Sequence, residues 1–242
     1  MKTNIERAEK DAHGRISVEL DGGGGALVER LTAESEIMIR MLRGQGGGVS
    51  AEFDVAPSID VSQFGNLLES FCLAADLHLD VKFRATKLSS SHVVLEDTAL
   101  AMGMGLFEMM RQRMMDTGIN GAGSSLKTAE QFRTAGVSAS VSVEGRKYVK
   151  YVGVTNYDDF RWRYILGHQA FGGVRTEDID DFVDALAGGI RGSFFLHERR
   201  PYPTAAAYWE DQIQALGVAL SEAFDVNAAR KGLPPGVKAT LL

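Results

Sequence analysis

The chain has 242 residues, 45% hydrophobic and 24% charged, with a formal net charge of −6. This is the composition of a folded globular protein large enough for a substantial core, and the acidic balance excludes wholesale nucleic-acid binding, which needs a basic face. A single cysteine, Cys72, excludes an internal disulfide framework and fits a reducing, cytoplasmic compartment. Cys72 lies on an apolar helical stripe, which points to core packing rather than a catalytic thiol. The first residues lack an apolar h-region, and no stretch reaches the ~20 apolar residues of a membrane span, so neither secretion nor a membrane partner is expected.

Residues 1–14 are polar and are expected to form a flexible N-terminus. Ile16–Leu20 alternates apolar and polar residues, the pattern of a half-buried strand. Asp21 and four glycines follow. This run reads as a turn or as a phosphate cradle; the turn is favoured because the G-x-G-x-x-G spacing and the Lys-Ser/Thr of a P-loop are absent. Ala26–Leu31 is expected to return as a strand, Glu36–Leu42 as a strand or short helix, and Val49–Val55 as a strand beyond a flexible loop at Gly44–Gly48. Val61–Ala75 places Phe64, Leu67, Leu68, Phe71 and Cys72 on one helical face. Leu77–Phe83 alternates as a strand.

Ser89, Ser90 and Ser91 offer an N-cap to a long helix over His92–Met115. Its methionines read as core filler or as a soft binding face, with filler favoured at helical spacing. Thr117–Ser125 is a loop. Val137–Val143 and Lys147–Val154 are expected to form a hairpin about Glu144-Gly145-Arg146, corresponding to the Ile16 strand and its partner. Asn156–Asp159 reads as loop and Arg161–Phe171 as a strand. Thr176 is expected to cap a helix whose first turn is acidic, as the helix dipole favours, and which ends at Gly188-Gly189. A strand at Ser193–His197 and a second long helix over Ala205–Phe224 complete the chain.

The two long helices carry one pattern. Glu96, Asp97, Ala101, Gly103, Leu106 and Glu108 recur 114 residues later as Glu210, Asp211, Ala215, Gly217, Leu220 and Glu222. The expected fold class is therefore α+β: a tandem duplicated sheet-plus-helices unit, with halves at 15–134 and 135–242 sharing one compact domain. His92 and Glu96 are four apart and share a helix face, the way a helix offers two ligands to a metal. His197 ends a strand, and Glu210 occupies the Glu96 position of the second copy. His and carboxylate together suit Mn, Fe or Zn. The competing reading is a capping histidine beside ordinary helix-start acids.

Beyond these patterns, His92-Val-Val-Leu-Glu-Asp-Thr-Ala-Leu-Ala-Met-Gly resembles the first His-His-x-x-Glu motif of the imidazoleglycerol-phosphate dehydratases. Gly118-Ile119-Asn120, Gly145-Arg-Lys-Tyr, Thr176-Glu, Asp181-Phe, Leu196-His197 and Pro235-Gly-Val-Lys-Ala-Thr-Leu resemble further segments of that family, so the likeness runs from about Ile16 to Leu241. The resemblance implies a ribosomal S5 domain 2-like duplicated fold, two manganese sites, and shells of trimers with sites completed between subunits. The departures fall on the ligands. Val93 replaces the second histidine of the first motif, Ala206-Ala207 replaces both histidines of the second, and Asn66 stands in the Asp-His-Met-Leu segment. Gly121 stands where the family places an arginine, and the extra length is expected as an insertion over Gly25–Val55. His92, Glu96, His197 and Glu210 survive of the roughly eight ligands a dinuclear centre needs.

Three readings follow. The first is a divergent lyase-type enzyme on a small polar or phosphorylated ligand, with one divalent metal (Mn, Fe or Zn) or none. It uses His92, Glu96, His197 and Glu210 as residual ligands, Glu130 as acid/base and Lys238 as anion contact. The second is a non-catalytic oligomeric binding or scaffold paralogue. The third is a working dehydratase of histidine biosynthesis, which the ligand losses disfavour. A trimer-based homo-oligomer is implied by the resemblance in each case.

Overall fold

The computed structural model describes residues 9–11, 14–87, 90–127, 136–154 and 156–233. The chain opens as a meander in which β1 (Glu9–Asp11), β2 (Gly14–Leu20), β3 (Ala26–Thr32) and β4 (Ser35–Arg43) pair antiparallel in succession. The tetraglycine run is the β2–β3 turn. Asp21 Oδ1 accepts the N–H groups of Gly23 and Gly25 at 3.0 and 2.7 Å, so a carboxylate holds the amides that a phosphate would need.

β5 (Gly48–Asp54) follows but does not pair with β4. The chain crosses through α1 (Phe64–Ala75), and β6 (Leu77–Ala85) enters between them, antiparallel to β4 and parallel to β5. The sheet order is β1-β2-β3-β4-β6-β5, and α2 (Ser91–Asp116) ends this half. The second half adds β7 (Ala122–Ser124), β8 (Val137–Val143), β9 (Tyr148–Val152), α3 (Tyr157–Tyr164) and a two-stranded ribbon of β10 (Gln169–Ala170) and β11 (Val174–Arg175). It closes with α4 (Thr176–Ile190), β12 (Gly192–Glu198) and α5 (Ala205–Ala223), and its sheet runs β7-β8-β12-β9.

This topology corrects four expectations. First, β8 and β9 are not a hairpin: β12 lies between them, antiparallel to β8 and parallel to β9. Second, their counterparts are β4 and β5, not the Ile16 strand. Ile39 pairs with Val81 and Val49 with Leu79, while Ala139 pairs with Leu196 and Val149 with Phe194 in the same arrangement. The segment read as an insertion thus contains three strands of the repeated unit, β3, β4 and β5 against β7, β8 and β9, and the additional strands are β1 and β2. Third, Arg161–Phe171 is not one strand: Arg161–Tyr164 is the end of α3, and only Gln169–Ala170 is strand. Asn156 caps α3 by accepting from Asp158 N, acids open the helix and arginines close it, and Phe160 and Tyr164 bury one face. Fourth, Thr176 is the first residue of α4 rather than its cap, because its hydroxyl donates to the buried Ile165 carbonyl. Gly188 and Gly189 lie inside that helix, which ends at Arg191 in a left-handed conformation (φ 54°). The half boundary expected at 134/135 falls outside the described residues.

α1 and α2 cover the first sheet, α4 and α5 the second, and the helical layers pack on each other through α2–α4 and α1–α5. The crossings need glycine. A Cβ on Gly103 of α2 would meet Leu186 O at 2.6 Å and Ile190 N at 2.7 Å; one on Gly217 of α5 would meet Phe71 O at 2.6 Å and Ala75 N at 3.1 Å. The glycine that recurs in the sequence is therefore the point where α2 touches α4 and where α5 touches α1. Phe182 of α4 stands edge-on to both Phe64 and Phe71 of α1, which joins the halves into one core. Met102, Met109, Met110 and Met114 are buried as filler, while Met115 is exposed. Among the described residues no helix is long and apolar enough to cross a membrane.

Candidate metal centre

The start of α2 presents its side chains to the start of α4. Ser90 accepts from Val93 N as the N-cap, and the next residue, Ser91, donates its hydroxyl to Asp178 Oδ2 at 2.6 Å. His92 then lies between two carboxylates. Its Nδ1 is 2.8 Å from Asp181 Oδ2, and its Nε2 is 3.1 Å from Glu96 Oε2 one turn along the helix. Asp178 and Asp181 are three apart on α4 and so share the face turned to α2.

One donor atom each from His92, Asp178 and Asp181 lies within 4.8 Å of the others, the only such group of three among the described residues. Asp178 is 2% exposed, whereas the side chains of His92 and Asp181 are each 44% exposed, leaving an open side. Tetrahedral ligands at roughly 2.0–2.2 Å from a common ion lie about 3.3–3.6 Å apart, so donor atoms as much as 4.8 Å apart would draw together by about 1 Å on binding, which the exposed His92 and Asp181 side chains have room to do. Three carboxylates around one imidazole carry excess negative charge that favours a cation, and the mixed nitrogen and oxygen set suits Mn, Fe or Zn. The donor set therefore fits one divalent ion. A cleft of 420 Å³ adjoins it, walled by Ser91, Asp178, Gln63, Gln169 and Arg175. Larger hollows of 680 and 1060 Å³ lie along the strands of the first sheet, away from these residues.

Of the residues singled out in sequence, His92 and Glu96 meet here. His197 does not belong to the group. It sits at the end of β12 opposite Ser138 and Val152, where burial and then the nearby Arg199 charge hold its imidazole below the ordinary range. Glu210 is engaged elsewhere: its Oε1 accepts the Phe171 N–H at 3.3 Å. Glu130 and Lys238 lie outside the described residues. Sequence reasoning missed Asp178 and Asp181 because acids in a first helical turn have a sufficient explanation in the dipole. The available signal was their spacing of three on a helix that must face the repeat partner of its own counterpart.

No family model matches the chain. It is 26% identical over 245 residues to the imidazoleglycerol-phosphate dehydratase of Salinispora tropica, covering 98% of this chain and 97% of that protein. It is 26% identical over 212 residues to the enzyme of the same name from Streptococcus sanguinis, covering 86% and 95%. The crystal structure of imidazoleglycerol-phosphate dehydratase from Staphylococcus aureus matches with a TM-score of 0.55 at 16% identity, over 79% of this chain and 95% of that one. The Pyrococcus furiosus structure matches with a TM-score of 0.55 at 16% identity, over 82% and 94%. The tandem duplicated fold is that of these proteins, and His92, Asp178 and Asp181 make a partial, three-residue set of possible metal ligands within it.

Proposed function

We infer that this chain, a divergent relative of the imidazoleglycerol-phosphate dehydratases in sequence and fold, is a lyase-type enzyme for a small polar or phosphorylated ligand, built around one divalent metal. The observation that carries this reading is the meeting of His92, Asp178 and Asp181 beside an open cleft. A divalent ion there would supply Lewis-acid polarisation of a ligand oxygen. His92, Asp178 and Asp181 would hold it. Ser91 fixes the Asp178 carboxylate through its hydroxyl, so that one ligand is oriented before any ion arrives. Glu96 stands at the open edge, where its carboxylate can take a proton from a bound ligand. Arg175 at the cleft wall offers charge to a polar or phosphorylated group, with Lys238 assigned as a second anion contact and Glu130 as an additional acid/base. His197 would complete the shell from a neighbouring subunit of a homo-oligomer.

A second reading, a non-catalytic binding or scaffold paralogue, is favoured by the side chains at the positions where the related family's other ligands would stand. Ala206 cannot ligate, and Asn66 is spent on a backbone carbonyl. Metal analysis of purified protein separates the two. The enzyme reading expects about one equivalent of manganese, iron or zinc per chain, lost in His92→Ala; metal-free protein supports the scaffold. Complementation of a histidine auxotroph is expected to fail, and growth would restore the working dehydratase.

A further inference from the structure

The two halves correspond residue by residue, so a group in one has a definable counterpart in the other. α1 and β6 map onto α4 and β12 with an offset of 115: Asp76 and Arg191 both end their helices in the left-handed region, at φ 52° and 54°. α2 maps onto α5 with an offset of 114: Ser90 and Thr204 are the N-caps, accepting from Val93 N and Ala207 N. The crossings obey the same rule, since Gly103 faces Leu186 O and Ile190 N while Gly217 faces Phe71 O and Ala75 N. Applied to the metal cluster, the offsets turn His92 into Ala206, Glu96 into Glu210, Asp178 into Gln63 and Asp181 into Asn66.

The second position thus keeps one carboxylate and has lost its imidazole and both other acids. Its remaining polar groups converge on the main chain of one residue, Phe171. Asn66 Nδ2 donates to Phe171 O at 3.2 Å and Glu210 Oε1 accepts Phe171 N–H at 3.3 Å, while Gln63 Oε1 accepts from the same Asn66 amide at 2.6 Å. Phe171 has φ 56°, in the left-handed region that a phenylalanine rarely adopts, and its ring is buried. The Phe171 N–H and C=O, which belong to the two successive peptide groups flanking its Cα, need one acceptor and one donor, and Glu210 with Asn66 provides that pair. A cation would instead face the partly positive Asn66 amide nitrogen.

We propose that at this position the chain's own Phe171 main-chain N–H and C=O take the place of a cation, and that Gln63, Asn66 and Ala206 restrict each chain to the single metal position at His92. The restriction rests on the metal reading of the His92 cluster; the Phe171 contact does not. Glu210 and Asn66 are positioning residues for the β10–β11 turn, which forms one wall of the cleft beside Asp178.

Two measurements on the full chain test this, with Mn(II) as the probe ion. Amide exchange is read at Phe171, and bound manganese is counted after desalting. Glu210→Ala is expected to speed Phe171 exchange at least about tenfold while leaving the manganese content of the wild type unchanged. The triple variant Gln63→Asp/Asn66→Asp/Ala206→His, shown folded by an unchanged melting profile, is expected to hold one more manganese than wild type. Loss of manganese in Glu210→Ala, unchanged Phe171 exchange, or a folded triple variant without the additional ion would each overturn the proposal. A manganese-free wild type sinks the His92 reading and with it the restriction to one metal, and the exchange result still decides the Phe171 contact.

Discussion

Gly103 of α2 and Gly189 of α4 touch backbone to backbone: a Cβ on Gly103 would lie 2.8 Å from the Gly189 Cα and closer still to Leu186 O. The neighbours are main-chain atoms of a buried helix and cannot give way as a side-chain tip would. Gly103→Ala is therefore expected to destabilise the fold by about 1–3 kcal/mol through overpacking, and Gly217→Ala by a similar amount. Gly65, also helical, has nothing within 4 Å of its would-be Cβ. Gly65→Ala should be neutral or stabilising by up to about 1 kcal/mol. Urea denaturation of the three variants checks the order; equal losses at all three would show that helix crossing is not what the recurring glycine serves.

Asp97 and Asp211 hold the same place in the repeat but do different work. Asp97 accepts from Ser35 Oγ at 2.7 Å and pairs with Arg30 at 2.5 Å, with both charged side chains largely buried. Asp97→Ala would strand the Arg30 guanidinium and should cost about 3–5 kcal/mol. Asp211 accepts one hydroxyl, from Tyr202 at 2.6 Å, and Asp211→Ala should cost nearer about 1 kcal/mol. The comparison requires only two denaturation curves, and a reversed order would refute it.

Cys72 is fully buried in α1, and burial pushes its thiol well above the ordinary range. The thiolate is the reactive form, so labelling by a thiol reagent at neutral pH should be negligible in the native protein. It should become fast in urea, with a midpoint matching global unfolding. Rapid labelling under native conditions would mean that α1 opens locally.

Asp180 provides a pH test. Burial, then the charges of Asp181 and Asp184, hold its carboxyl above the ordinary range, against the Tyr151 hydroxyl that donates to it. The folded state therefore binds this proton more tightly than the unfolded chain. Stability from the group is fully present below its ordinary pKa of 3.8 and is lost as pH rises through the folded value. Asp180→Asn keeps an acceptor for Tyr151 without the titration. Its stability relative to wild type should improve from about pH 3 to about pH 7. A difference that stays constant with pH would rule the assignment out.

Much of the local structure was legible in the residues because period and capping are local. The amphipathic stripe of α1, the serine cap of α2 and the alternation of β4 and β6 each follow from neighbours a few positions away. The α3 error arose because Phe160 and Tyr164, four apart, sit in a segment too polar and too short for periodicity to speak; the Asn156 cap was the better signal.

By itself, the sequence determined that the chain is duplicated, that each copy ends in a long helix opening on Glu and Asp, and that one copy keeps a histidine beside its glutamate. Only the tertiary structure decided which residues of the other half those groups meet. Strand insertion of β6 and β12 and the helix crossings at Gly103 and Gly217 are contacts between segments far apart in the chain, and no local pattern encodes their partners. That pairing brought Asp178 and Asp181 to His92. It also set Asn66 and Glu210 on the Phe171 main chain, which separates a group able to hold a metal from a counterpart with a single carboxylate.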